Sequence, residues 1–154
     1  MRVVLDTNIL VREGAKARGP ARELLERITA SQLHTLILSP SLLREAERAF
    51  GYDRVRAFSK LTDIEVAEYL NYLRTPGISE IVFPGPAPRV VPSDSDDDSV
   101  VHTAIIGEAN ALCTLNGDFF HPDVLKYCRE RDVLVMNDID LLNILRSLSE
   151  STSH

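Results

Sequence analysis

The stretch Arg2-Val3-Val4-Leu5, followed at once by Asp6, constrains this chain more than any other. It is rich in Val and Leu without alternation, which marks a strand covered on both faces. Such a strand belongs to a parallel sheet with helices on either side. Short runs of the same kind recur at Thr35-Leu36-Ile37-Leu38, from Ala111 to Leu115 and at Val133-Leu134-Val135-Met136, and Ile78 to Phe83 reads as a further strand. Helical spacing fills the intervals. The alternation predicts an α/β chain, a three-layer α/β/α sandwich with a mostly parallel central sheet.

The helices can be placed from their apolar faces. One runs from Pro20 to about Ala30 and presents Ala21, Leu24, Leu25 and Ile28. Ser39-Pro40-Ser41 stops the second strand and caps a helix with the stripe Leu42, Leu43, Ala46, Ala49 and Phe50, closed by Gly51. Residues 52–74 read as two helical pieces broken at Leu61-Thr62-Asp63, the second burying Ile64, Ala67, Tyr69, Leu70 and Leu73. Pro84-Gly85-Pro86-Ala87-Pro88 excludes both helix and sheet interior. The acidic run Asp94-Ser95-Asp96-Asp97-Asp98 opens a helix with Val100, Val101, Ala104, Ile105 and Ala109 in the core. Asn116-Gly117 makes a turn, Pro122 to Arg131 a helix, and Asp138 caps a last helix carrying Ile139, Leu142, Ile144 and Leu145. With 154 residues, 44% of them apolar, the expectation is one domain over residues 1–148 and a polar tail over 149–154.

Charge narrows the function. Seventeen Lys and Arg against 23 Asp and Glu leave a net charge of −6, which disfavours a protein that coats DNA or lies on a membrane surface. It leaves a nuclease open, because clustered carboxylates that bind metal ions lower the formal charge until the ions arrive. No apolar run approaches the ~18 residues that cross a bilayer, so no membrane association is expected. The apolar opening is too short for a signal-peptide core, and Cys113 and Cys128 read as reduced structural residues, so a cytoplasmic location is expected. Gly-rich phosphate loops and the GxSxG elbow are missing from the sequence.

In an open parallel sheet, ligands bind outside the carboxyl ends of the strands. The residues there are acids and amides. Asp6 follows the first strand, Glu45 lies one turn into the helix after the second, Asp97 begins the helix before the late strand, and Asn116 and Asp118 follow that strand. Each alone has an ordinary reading: Asp6 as a turn cap, Glu45 as a solvent-facing helix residue at the border of its stripe, the 94–98 run as a solvated cap, and Asn116 and Asp118 as turn residues. Together they offer the carboxylate and amide oxygens that Mg²⁺ or Mn²⁺ prefers. His34, His102, His121 and His154 show no ligand spacing and read as non-ligands.

These segments resemble the PIN domain family. Val3-Val4-Leu5-Asp6-Thr7-Asn8-Ile9-Leu10 is similar to its first motif, and Ser39-Pro40-Ser41-Leu42-Leu43-Arg44-Glu45 to its second. Asp94-Ser95-Asp96-Asp97-Asp98 resembles the third, and Ala109 to Asn116 the fourth. The resemblance implies a three-layer α/β/α fold and a metal-dependent endoribonuclease, in many cases the VapC-like toxin of a toxin–antitoxin pair. Carried over, Asp6, Glu45 and Asp97 become the metal carboxylates for Mg²⁺ or Mn²⁺ and Asn116 takes the fourth place. Many relatives have an acid there, so Asp118 is a candidate to supply the charge. Within the acidic run, Asp98 or Asp94 could assist Asp97, and Thr7 and Asn8 would shape the site.

The implied partners are an RNA substrate, a cognate antitoxin that places Arg or Lys among the carboxylates, and a second copy of the chain docked through the stripes between Leu61 and Leu73. Two other readings stay open. One is a PIN-like module that binds RNA or protein without cutting, and the other is a nuclease of RNA processing or DNA repair outside any toxin pair.

Overall fold

A computed structural model describes residues 1–14, 19–91 and 95–152. Five strands form one sheet: β1 (Arg2–Leu5), β2 (Thr35–Leu38), β3 (Ser79–Ile81), β4 (Ala111–Cys113) and β5 (Leu134–Met136), in the order β3-β2-β1-β4-β5. Every neighbouring pair is parallel. The helices are α1 (Thr7–Gly14), α2 (Pro20–Ala30), α3 (Pro40–Phe50), α4 (Asp53–Ser59), α5 (Asp63–Leu73), α6 (Ser95–Ile106), α7 (Pro122–Arg129) and α8 (Asp138–Thr152), with a 3₁₀ turn at Gly117–Phe120.

The pleat of the sheet divides the core into two layers. Val3, Leu5, Leu36, Leu38, Ala111 and Cys113 face one way and meet α1, α2, α5 and α8. Val4, Ile37 and Leu112 face the other and meet α6 and α7. Both sides of β1 are therefore dry, as its unbroken apolar sequence requires. The chain builds outward from β1 to β2 and β3, then returns to place β4 on the other side of β1. That reversal makes the β1/β4 boundary the switch point, and its carboxyl edge is where such sheets bind ligands.

Several details depart from the sequence expectation. Helix α1 carries no helical signature, because Thr7, Ile9 and Val11 are β-branched and Ile9-Leu10-Val11 reads as a continuous apolar run. Burial of Ile9, Leu10 and Val11 overrides that preference. In α5, Ile64 is 72% exposed and Ala67 is exposed too, and the buried positions are Leu70 and Leu73. In α8, Ile139 is 48% exposed and Ile144 also faces outward, while Leu141 joins Leu142 and Leu145 in the core. The cap of α8 is Asn137, whose Oδ1 accepts the Asp140 N–H at 2.8 Å, one residue earlier than expected. Helix α8 runs to Thr152.

The stripes of α2 and α3 fall where the spacing put them. So does the break before α5, which Thr62 and Glu65 seal with a reciprocal capping box. Glu23 on α2 receives Arg146 of α8 and Arg27, and these contacts lower its pKa to about 2. Both cysteines are free and buried; burial pushes the Cys128 thiol up to about 11 and Cys113 higher still, so neither is a reactive thiolate.

Glu13, near the end of α1, is only 2% exposed. The Tyr69 hydroxyl stands beside it, but its one proton goes to Leu10 O at 2.7 Å, and neither Glu13 oxygen has a hydrogen-bond partner among the described residues. Burial drives this carboxyl well above the usual range. The unfolded chain therefore releases the Glu13 proton at lower pH than the folded one, and stability falls as pH rises above about 4.5. Glu13→Met should raise the melting temperature at pH 8, by roughly 2–4 °C per kcal/mol relieved, with the gain shrinking toward pH 4. Melting curves across pH measure this, and a gain independent of pH would mean that the side chain is not a desolvated acid.

Candidate active site

Asp6 is the first residue beyond β1 and is 5% exposed. Its Oδ1 accepts the Thr7 N–H at 2.7 Å and its Oδ2 accepts the Thr114 hydroxyl at 2.7 Å. Burial raises its pKa, and the Thr114 and Thr7 hydrogen bonds oppose that rise. Thr114 follows β4, so this bond joins the ends of the two switch-point strands. The same hydroxyl accepts the Asn116 N–H at 3.0 Å, and Asn116 Nδ2 donates to Asp97 Oδ2 at 3.2 Å. A continuous line of hydrogen bonds thus runs from Asp6 through Thr114 and Asn116 to Asp97 at the start of α6. Asn8 adds a further tie, its Oδ1 accepting the Leu115 N–H at 3.4 Å.

Asp6, Glu45, Asp97 and Asn116 line one cavity of about 870 Å³. Its wall also includes Thr7, Asn8, Asp96 and Asp138. Glu45 reaches it from the second turn of α3, and Arg48 donates to its Oε2 at 2.9 Å. Ser39, which caps α3 by accepting the Leu42 N–H, lies 2.8 Å from the Thr103 hydroxyl of α6 and so fixes the two acid-bearing helices against each other.

Two of the sequence candidates stand elsewhere. Asp118 is exposed in the 3₁₀ turn, donates its N–H to Asn116 Oδ1 and is not part of the cavity wall. Asp98 turns away from the cavity into the fold, where Oδ1 accepts the Val90 and Val91 N–H groups and Oδ2 lies 3.1 Å from Arg89. It anchors the chain ahead of α6. The reason is rotational: neighbours on a helix point about 100° apart, so a cavity that takes in Asp96 and Asp97 leaves Asp98 turned into the fold. Asp94 lies outside the described residues. Asp138, which the sequence pattern marks as a cap, also follows a strand end, as Asp6 does, and lines the cavity.

The donors fit a hard divalent cation. They are carboxylate and amide oxygens, which such ions prefer over sulfur. Among the described residues no three His, Cys, Asp or Glu side chains are gathered closely enough to cage an ion. Mg²⁺ does not demand such a cage, since it keeps several waters and takes one or two carboxylates together with substrate phosphate.

Thr114 has a positioning role that sequence spacing alone does not reveal. Thr114→Val should cost about 1–3 kcal/mol of stability, because it removes a buried hydrogen bond to a carboxylate. In an Asp6→Asn background the cost should be clearly smaller. A double-mutant cycle by chemical denaturation tests the coupling, and additive losses would dissolve the proposed link.

No curated protein matches the chain. A family model described as a PIN domain matches residues 2–118, which takes in β1 to β4 and the segments bearing Asp6, Glu45, Asp97 and Asn116. The match covers well over half of the sequence and agrees with the all-parallel sheet and its two helical layers, so the chain belongs to the PIN domain family.

Proposed function

We propose that this protein is a divalent-metal-dependent endoribonuclease that hydrolyses RNA phosphodiesters. The observation that carries the reading is convergence: Asp6, Glu45, Asp97 and Asn116, from four distant segments, line one cavity at the carboxyl edge of the switch-point strands. Family membership supports a metal-dependent nuclease in general terms. In this reading Asp6, Glu45 and Asp97 would hold Mg²⁺ or Mn²⁺ in part through the ion's own waters, Asn116 orients Asp97, and Asp138 replaces Asp118 as the further acid.

Bound there, the ion supplies Lewis acidity to the phosphate and lowers the pKa of water from near 16 toward neutrality. The protein's own groups do the placing. Thr114 and the Thr7 N–H fix both Asp6 oxygens, so the carboxylate need not reorganise when its charge is used. The Asn116 amide holds Asp97 to the same framework.

The finer reading is the toxin of a type II toxin–antitoxin pair. Its support is electrostatic, since a cavity with Asp6, Glu45, Asp96, Asp97 and Asp138 on its wall is a seat for a basic side chain from an antitoxin. Exposed Ile64 and Tyr72 on α5 support self-association through the stripe foreseen between Leu61 and Leu73. Among the described residues no helix is long and apolar enough to cross a membrane.

Incubating a mixed RNA pool with the purified protein should give cutting with Mg²⁺ or Mn²⁺ and none with EDTA. An Asp6→Asn, Asp97→Asn double variant should lose activity by more than about 100-fold, the most expected from residues that merely support metal ligands. Asp6→Asn alone should change the melting temperature of the metal-free protein little, because the desolvated charge it removes is offset by the loss of one of the two hydrogen bonds the carboxylate accepts. Equal activity in parent and double variant would place the chemistry elsewhere, and RNA binding without metal-dependent cutting would favour the non-cleaving alternative.

A further inference from the structure

The cavity is not acidic throughout. It begins at Asp6, Thr7 and Asn8 and continues along α1 to Val11 and Arg12; on the opposite wall it follows α3 from Ser41 and Glu45 to Ala49 and on to α4. Arg12 comes six residues after Asp6, about 9 Å along a helix. There the wall changes character: α1 packs against α2 and α4, and the lining residues from these helices are Arg12 of α1, Arg22 of α2, and Arg54 and Phe58, four apart on α4, with Tyr52 at its cap. Tyr52 and Phe58 are among the large side chains left exposed, at 47% and 44%. Arg48 and Arg56 engage Glu45 and Asp63, whereas Arg12 and Arg54 have no carboxylate partner among the described residues.

We propose that this arginine and aromatic end is a subsite for one unpaired nucleotide of the substrate strand, next to the phosphate that is cut. The inference rests on the nuclease reading above. Arg12 and Arg54 supply positive charge for the phosphate, which the acidic end cannot hold without a metal ion, and Tyr52 or Phe58 supplies a face for the base. The division of charge along one cavity matches a polyanion whose scissile phosphate is met by metal-binding acids and whose neighbouring phosphate is met by guanidinium. An aromatic platform inside a concave wall accepts a base only when that base is out of a duplex.

The test is anisotropy of a fluorescein-labelled, unstructured RNA of about 8 nucleotides. It uses the Asp6→Asn, Asp97→Asn protein, which cannot cut in the reading above, at several salt concentrations. Tyr52→Ala or Phe58→Ala should weaken binding by about 5- to 150-fold and leave the salt slope unchanged, with Tyr52→Phe retaining affinity. Arg12→Ala and Arg54→Ala should each reduce the slope of log K against log salt by about 0.7. The same sequence as a duplex should bind more weakly, and melting curves should match those of the starting protein. No binding, or affinity and slopes untouched by all four alanine variants, overturns the subsite and points to a protein partner for this end of the cavity. Metal-dependent cutting by the parent protein, measured in parallel, reports on the nuclease reading by itself, so the two can fail separately.

Discussion

The hydrogen bond from Thr114 to Asp6 holds together what the rest of the structure prepares. Val3, Val4 and Leu5 carry β1 through a dry interior, and the next residue is a carboxylate with almost no access to water. Such a group needs compensating donors, and they come from its own helix start and from the end of β4. Because β4 reaches β1 only after the chain has laid down β2 and β3 on the other side, this bond adds a side-chain tie to the backbone ladder that joins the two halves of the sheet. The Thr114 hydroxyl and Asn116 then extend the constraint to α6, so that two acids far apart in sequence share one rigid frame.

The strands were legible because burial on both faces leaves an unbroken apolar run, and helices α2 and α3 were legible because only one side of each is buried. The same logic explains the failures. Helix α1 has three consecutive buried apolar residues and β-branched side chains, so its sequence resembles an extended strand. In α8 the choice between Ile139 and Leu141 depends on how the helix is rotated about its axis, which spacing leaves free when apolar residues occur on more than one side. Among the site residues, Asp6, Glu45, Asp97 and Asn116 could be found from their positions beside strand ends. Asp138 obeys the same rule but was obscured by its position at a helix start, and the arginines and aromatics of the cavity gave no pattern because they come from α1, α2 and α4 separately.

The consecutive acids of α6 show how one sequence feature divides into unlike tasks. Asp97 faces the cavity, while Asp98 is spent on two backbone N–H groups and on Arg89. The acidic run thus partly lines the cavity and partly braces the chain ahead of α6. Glu13 contrasts with both: it is an acid buried without a hydrogen-bond partner among the described residues, on the helix whose start follows Asp6, and it does not line the cavity.

The location of Asp138 has a consequence for how such a protein can diversify. It starts the helix after β5, which is an edge strand bonded only to β4, and it lies beyond the part of the chain that matches the family model. The central strands and the Thr114 link do not rely on it for their hydrogen bonds. One acid of the cavity lining is thus carried by a peripheral element, which can change in length, charge and side-chain reach while the inner frame keeps its own packing. Variation in substrate choice could accumulate there at little risk to folding.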